Sequence, residues 1–134
     1  MHENVNGANL PPVLALAYLG DAYYSLYVRD MLVRRGLTKS KELNSASLEF
    51  VTAEHQAAAF EILKPHLTEQ EALCARRAYN STHLNPPKRA KIKDYRAATA
   101  LEALIGMLYY LNDFDRINEL MNILNGGRKN DTED

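Results

Sequence analysis

Two apolar stretches of this chain each carry one acid and one glycine, and that pairing limits how the chain can fold. The first is Leu16-Ala17-Tyr18-Leu19-Gly20-Asp21-Ala22-Tyr23-Tyr24; the second is Ala98-Thr99-Ala100-Leu101-Glu102-Ala103-Leu104-Ile105-Gly106. A glycine inside a helix costs about 0.5–1 kcal/mol relative to alanine, and a carboxylate among apolar side chains gives up hydration. Glycine also lets two helix backbones come close, so the pattern predicts that these stretches cross with Asp21 and Glu102 facing one another. Facing carboxylates repel unless protonated, paired with a cation or bridged by a metal. From the pattern alone two readings stay open. In one, oxygen ligands hold a hard divalent cation, with Mg²⁺ favoured for phosphate chemistry. In the other, Asp21 pairs with Arg29 or a more distant arginine, and Glu102 is solvated on an exposed face.

Helix signals fill the chain, whereas sustained alternation and paired-glycine hairpin turns are absent. After Pro11 and Pro12, a helix is expected from Val13 to about Arg35, with Gly36 in the place of a terminating glycine. Further helices are expected over Ser40 to Phe50 and from about Thr52 to Leu63, the latter stopped by Pro65. Thr68 and Glu71 have capping-box spacing and open a helix reaching about Tyr79. Asn80 to Ile92, with Pro86 and Pro87 and little periodicity, reads as a loop. A fifth helix runs from about Asp94 to Leu111, and Asp113 caps a sixth over Phe114 to Leu124, ended by Gly126 and Gly127. The polar tail, from about residue 126 and chiefly Arg128 to Asp134, is expected to fray. The expected fold is all-α, a helical bundle in one domain spanning residues 1–134.

Charge separates along the chain. Cys74 to Arg96 holds Arg76, Arg77, Lys88, Arg89, Lys91, Lys93 and Arg96 against the single acid Asp94, a charge of +6; the whole chain is −1, so the remainder carries −7. Such a separation implies one positive surface on an acidic body, suited to a polyanion. Asp21, Arg29 and Asp30 interrupt the first apolar segment well short of the roughly 20 residues a bilayer span needs, so no membrane partner is expected. Met1 to Pro12 lacks a basic start followed by an apolar stretch, so no secretory signal is expected either. A lone cysteine, Cys74, fits a reducing cytoplasm and reads as a small helix residue rather than a nucleophile. His2, His55, His66 and His83 show neither metal-ligand nor triad spacing.

Leu19-Gly20-Asp21-Ala22 and Leu101-Glu102-Ala103-Leu104-Ile105-Gly106 resemble, in order and separation, the two acidic motifs of the ribonuclease III catalytic domain. The likeness covers about Val13 to Leu124. Leu14-Ala15-Leu16-Ala17-Tyr18-Leu19-Gly20-Asp21-Ala22, with Tyr95-Arg96-Ala97-Ala98-Thr99 before Glu102, is most similar to the Mini-ribonuclease III subfamily, which lacks a separate double-stranded-RNA-binding domain. The resemblance implies an endoribonuclease that hydrolyses double-stranded RNA to 5′-phosphate and 3′-hydroxyl ends. It further implies Asp21 and Glu102 as catalytic metal ligands, Mg²⁺ as cofactor with Mn²⁺ as a substitute, and a role in maturing large-subunit (23S) ribosomal RNA. Further acids of ribonuclease III proper are missing: Leu14, Ala17 and Thr99 stand at those positions. Fewer charged ligands leave more of the coordination to water and RNA phosphate.

Lys88, Arg89, Lys91 and Lys93 are the expected phosphate contacts. Arg96 joins them nearly two helical turns before Glu102, and Arg76 and Arg77 are further candidates. Contacts of this kind select duplex shape more than sequence. Thr99, or Ser25 one turn beyond Asp21, is a candidate for a supporting role at the metal. The eight tyrosines read as packing rather than base stacking, since Tyr95 alone lies near the basic loop. By resemblance, Tyr18 plugs a neighbouring subunit across a twofold axis, which implies a homodimer. Two other classes remain: a non-catalytic RNA-binding module on the same fold, and a helical interaction protein that leaves the charge separation unexplained.

Overall fold

A computed structural model describes residues 9–126. The expected fraying of Arg128 to Asp134, and the place of Gly127 and His2, lie outside those residues. The described part holds six α-helices: α1 (Val13–Arg34), α2 (Ser40–Val51), α3 (Ala53–Leu63), α4 (Glu69–Tyr79), α5 (Ile92–Tyr110) and α6 (Phe114–Leu124). A short 3₁₀ turn, Lys64–His66, joins α3 to α4, and there is no strand among the described residues.

Local chemistry sets the helix ends. Gly36, at φ 102°, closes α1 with the Leu37 amide donating to the Leu32 carbonyl at 3.3 Å, the wrapped ending that a left-handed residue permits. Asn112, at φ 60°, does the same for α5, with the Asp113 amide on the Leu108 carbonyl at 2.8 Å. Asparagine tolerates that conformation better than most side chains. The Thr68–Glu71 capping box forms in both directions, at 2.9 and 3.1 Å. Thr52 caps α3 and Asp113 caps α6 through their side-chain oxygens. α5 begins at Ile92, two residues before the expected start, which puts Asp94 in its first turn, where the helix dipole favours an acid.

α5 is the axis of the molecule, packed against α1, α3, α4 and α6. From Ala97 to Leu108 every residue is buried except Glu102. A helix apolar on all sides belongs at the centre of a bundle. Its small side chains at Ala97, Ala100 and Ala103 let the surrounding helices come in close. One charged tie supplements this packing. Arg116 of α6 donates from Nε and Nη2 to the two carboxylate oxygens of Glu71, at 2.8 and 2.9 Å, and from Nη2 to the His66 carbonyl at 2.8 Å. Burial alone would raise the Glu71 carboxyl, but the Arg116 and Thr68 hydrogen bonds outweigh it and hold the group below its ordinary range.

Candidate active site

The site begins with the two glycines. A side-chain carbon on Gly20 would run into the Glu102 carbonyl oxygen, 2.7 Å from its carbon and 2.8 Å from the Gly106 nitrogen. One on Gly106 would run into the Leu16 carbonyl oxygen, 2.7 Å from its carbon and 3.0 Å from the Gly20 nitrogen. Thus α1 and α5 cross backbone to backbone, each glycine seated on the other helix, and no other residue fits at either place. Asp21 follows Gly20, and Glu102 lies one turn before Gly106. The crossing therefore sets the two acids side by side.

Their side chains meet. Asp21 is exposed at the rim, Glu102 is half-buried, and the two carboxyls are in hydrogen-bonding contact. The Glu102 carboxyl is pushed up to about 8, first by burial, then by the hydrogen bond to Asp21 and its charge; a hydrogen bond from Gln56 acts in the opposite direction. The two acids face one another, as the glycine pattern predicts. The pair stands without a third acid, histidine or cysteine: no group of three or more such residues able to hold a metal occurs among the described residues. What the site offers is oxygen from two carboxylates, a donor set suited to a hard cation that keeps part of its water.

Gln56 is the site residue that sequence reasoning missed. It is the one polar side chain among the buried residues of α3, beside Ala57, Phe60 and Leu63. That a glutamine shares the inward face of a mostly apolar helix was a signal in the sequence. Thr99 has a local task instead, its hydroxyl donating to the Tyr95 carbonyl one turn back at 2.9 Å. Cys74 is buried, its Sγ against the Ala103 carbonyl at 3.6 Å, and burial pushes the thiol to about 11 despite the opposing charge of Arg77. A thiol in that state is no nucleophile.

Lys88, Arg89, Lys91 and Lys93 are exposed on the loop and first turn leading into α5, and Arg76 and Arg77 are exposed on the last turn of α4. Arg96 differs. It is half-buried, and its Nη1 donates to the carbonyls of Tyr79 at 2.6 Å and Ser81 at 3.3 Å. It therefore fastens the end of α4 and the start of the basic loop to α5. Tyr18 is 82% exposed on the outer face of α1.

An all-helical body in which two crossing helices bring one carboxylate each to a half-open site, with a basic loop leading into one of them, has the make-up of a ribonuclease III catalytic domain. Residues 14–113 match the model of the Ribonuclease III domain. The chain is 42% identical to the Mini-ribonuclease 3 of Symbiobacterium thermophilum over 116 residues, covering 87% of this chain and 88% of that one. It is 43% identical to the Mini-ribonuclease 3 of Brevibacillus brevis over 119 residues, covering 89% of each. The crystal structure of protein FN1578 from Fusobacterium nucleatum superposes with a TM-score of 0.80 at 30% identity, over 89% of this chain and 96% of that one. The chain belongs to the ribonuclease III family, within its Mini-ribonuclease 3 group, and is a ribonuclease.

Proposed function

We propose that this protein is a Mg²⁺-dependent endonuclease of double-stranded RNA, leaving 5′-phosphate and 3′-hydroxyl ends, with Mn²⁺ as an alternative ion. The observation that carries this reading is the Asp21–Glu102 pair at the glycine crossing. Two carboxyls held in contact repel when both are ionised, and a shared divalent cation relieves that repulsion. Asp21 at the rim and Glu102 behind it present oxygens from two rigid helices, so the ligand positions are fixed by the helix crossing. When bound, the ion supplies the charge that activates water and steadies the phosphate oxygens. Lys88, Arg89, Lys91 and Lys93 hold the RNA backbone. Arg96, by tying the loop to the helix that carries Glu102, keeps those residues in register with the scissile phosphate.

Duplex RNA is the substrate this arrangement suits. The basic residues address phosphates, and the A-form duplex is recognised by shape and backbone. The protein works as a homodimer. Tyr18, Ala22 and Leu26 follow one another at one-turn spacing on the outer face of α1, all exposed, with Tyr18 at 82% and Leu26 at 63%. Such a stripe is suited to burial against its own copy across a twofold axis. Two copies would give one site for each strand of the duplex. The natural substrate in this reading is precursor large-subunit (23S) ribosomal RNA, in the cytoplasm. The deciding experiment incubates the protein with long duplex RNA, with and without Mg²⁺, beside Asp21→Asn and Glu102→Gln. Cleavage that needs both acids and the ion is expected. Wild-type rates in both variants would defeat the proposal.

A further inference from the structure

Glu102 has a neighbour on each side. Toward solvent it meets Asp21, and toward the core it meets Gln56 of α3, a residue 3% exposed whose side chain hydrogen-bonds the Glu102 carboxyl. A buried amide left without partners costs about 1–3 kcal/mol, so a glutamine at this place requires something to accept from it. An amide carries two N–H donors. In its ionised, cation-holding form Glu102 only accepts, so the donor to it is Gln56 Nε2.

We propose that Gln56 is a positioning residue for the acidic pair: from the buried side its Nε2 holds one oxygen of Glu102, leaving the other to join Asp21 in presenting oxygens to a shared divalent cation. This rests on the reading of Asp21 and Glu102 as the acids that hold the ion. The residue type suits the task. A lysine or arginine there would neutralise Glu102 and compete with the cation, and another acid would add like charge. An amide fixes the carboxylate without altering the charge left for the ion. With no larger ligand cluster among the described residues, the orientation of each carboxylate counts for more. Partners that fix a metal ligand typically contribute 10–100-fold, roughly, in metal affinity or activity.

The test measures Mn²⁺ binding to the RNA-free protein by electron paramagnetic resonance, beside the Mg²⁺ concentration giving half-maximal cleavage. Gln56→Met keeps most of the buried volume and removes the donor. Its Mn²⁺ affinity is expected to fall by roughly 10–100-fold, and its half-saturating Mg²⁺ to rise in step. The KM for RNA at saturating Mg²⁺ stays as in the wild type. A role in packing alone would lower the melting temperature and leave Mn²⁺ affinity where it was, and that result overturns the proposal. If Gln56→Met does not fold, Gln56→Asn, which draws the amide back by one methylene, takes its place: weakened Mn²⁺ binding supports the proposal and unchanged binding overturns it. Asp21→Asn and Glu102→Gln, run in parallel, separate the two inferences. If both still cleave, the metal-nuclease reading itself fails. If both are inactive while Gln56→Met binds Mn²⁺ like the wild type, only the role of Gln56 fails.

Discussion

Replacing Glu102 with glutamine is expected to stabilise the metal-free protein in alkaline solution while abolishing cleavage. The Glu102 carboxyl sits at about 8 in the folded protein, against 4.5 for the unperturbed group, because burial comes first and Asp21 adds to it. Between those values the folded chain keeps a proton that the unfolded chain has released. Stability therefore falls as pH rises from about 4.5 to about 8, and the full loss persists above that range. The shift corresponds to at most about 5 kcal/mol, at about 1.4 kcal/mol per pH unit. Water at the open, Asp21 side of the pair reduces this, so the measurable difference is on the order of 1–3 kcal/mol. Glutamine has no charge to lose, and the variant escapes the penalty. At about 3–5 °C per kcal/mol for a chain of this size, its melting temperature in EDTA at pH 9 should exceed the wild type by several degrees. At pH 4.5 the advantage should shrink to little. Calorimetry of both proteins across that range is the assay, and the difference between them cancels the titrating groups that do not touch Glu102. An advantage that is absent, or equal at both pH values, would refute the half-buried placement of Glu102 against α1 that raises its carboxyl.

Gly106→Ala should destabilise by at least about 2–3 kcal/mol in denaturant unfolding, because the added carbon meets the Leu16 backbone and forces the helices apart. This outweighs the gain of about 1 kcal/mol that alanine brings to a helix; equal or greater stability would contradict the crossing. Alanine at Lys88, Arg89, Lys91 and Lys93 together should raise the KM for RNA with little change in single-turnover rate. The slope of log affinity against log salt should fall by roughly 0.7–0.9 for every phosphate that the variant no longer holds. An unchanged slope would mean that RNA is held elsewhere, with Arg76 and Arg77 next to test. Arg96→Ala should speed amide hydrogen exchange through residues 80–91, since it removes the hydrogen bonds to the Tyr79 and Ser81 carbonyls. Tyr18→Lys should yield a monomer in sedimentation and lower activity with it, and a fully active monomer would remove the dimer from the account.

The sequence by itself determined the helices and the identity of the acids, because these depend on residues near one another in the chain. The Thr68–Glu71 box, the cap at Asp113 and the left-handed Gly36 are short-range chemistry, and they formed where the spacing placed them. Asp21 and Glu102 were legible because a carboxylate among apolar neighbours is costly, and each had a glycine within about one turn. The end of α5 was read to within a residue, at Leu111 against Tyr110, but the left-handed Asn112 that closes it was not, because asparagine signals a helix terminus more weakly than glycine. What only the tertiary structure decided is which faces meet. Arg96 reads in the sequence as one cation of a basic run, yet its guanidinium binds carbonyls 17 and 15 residues away in the chain. The Glu71–Arg116 pair spans 45 residues. Gln56 became a site residue only once α3 was laid against α5. Such pairings are fixed by how the helices pack around a central, largely apolar α5, and no local pattern records which polar side chain will find itself behind the carboxylate when that packing is complete.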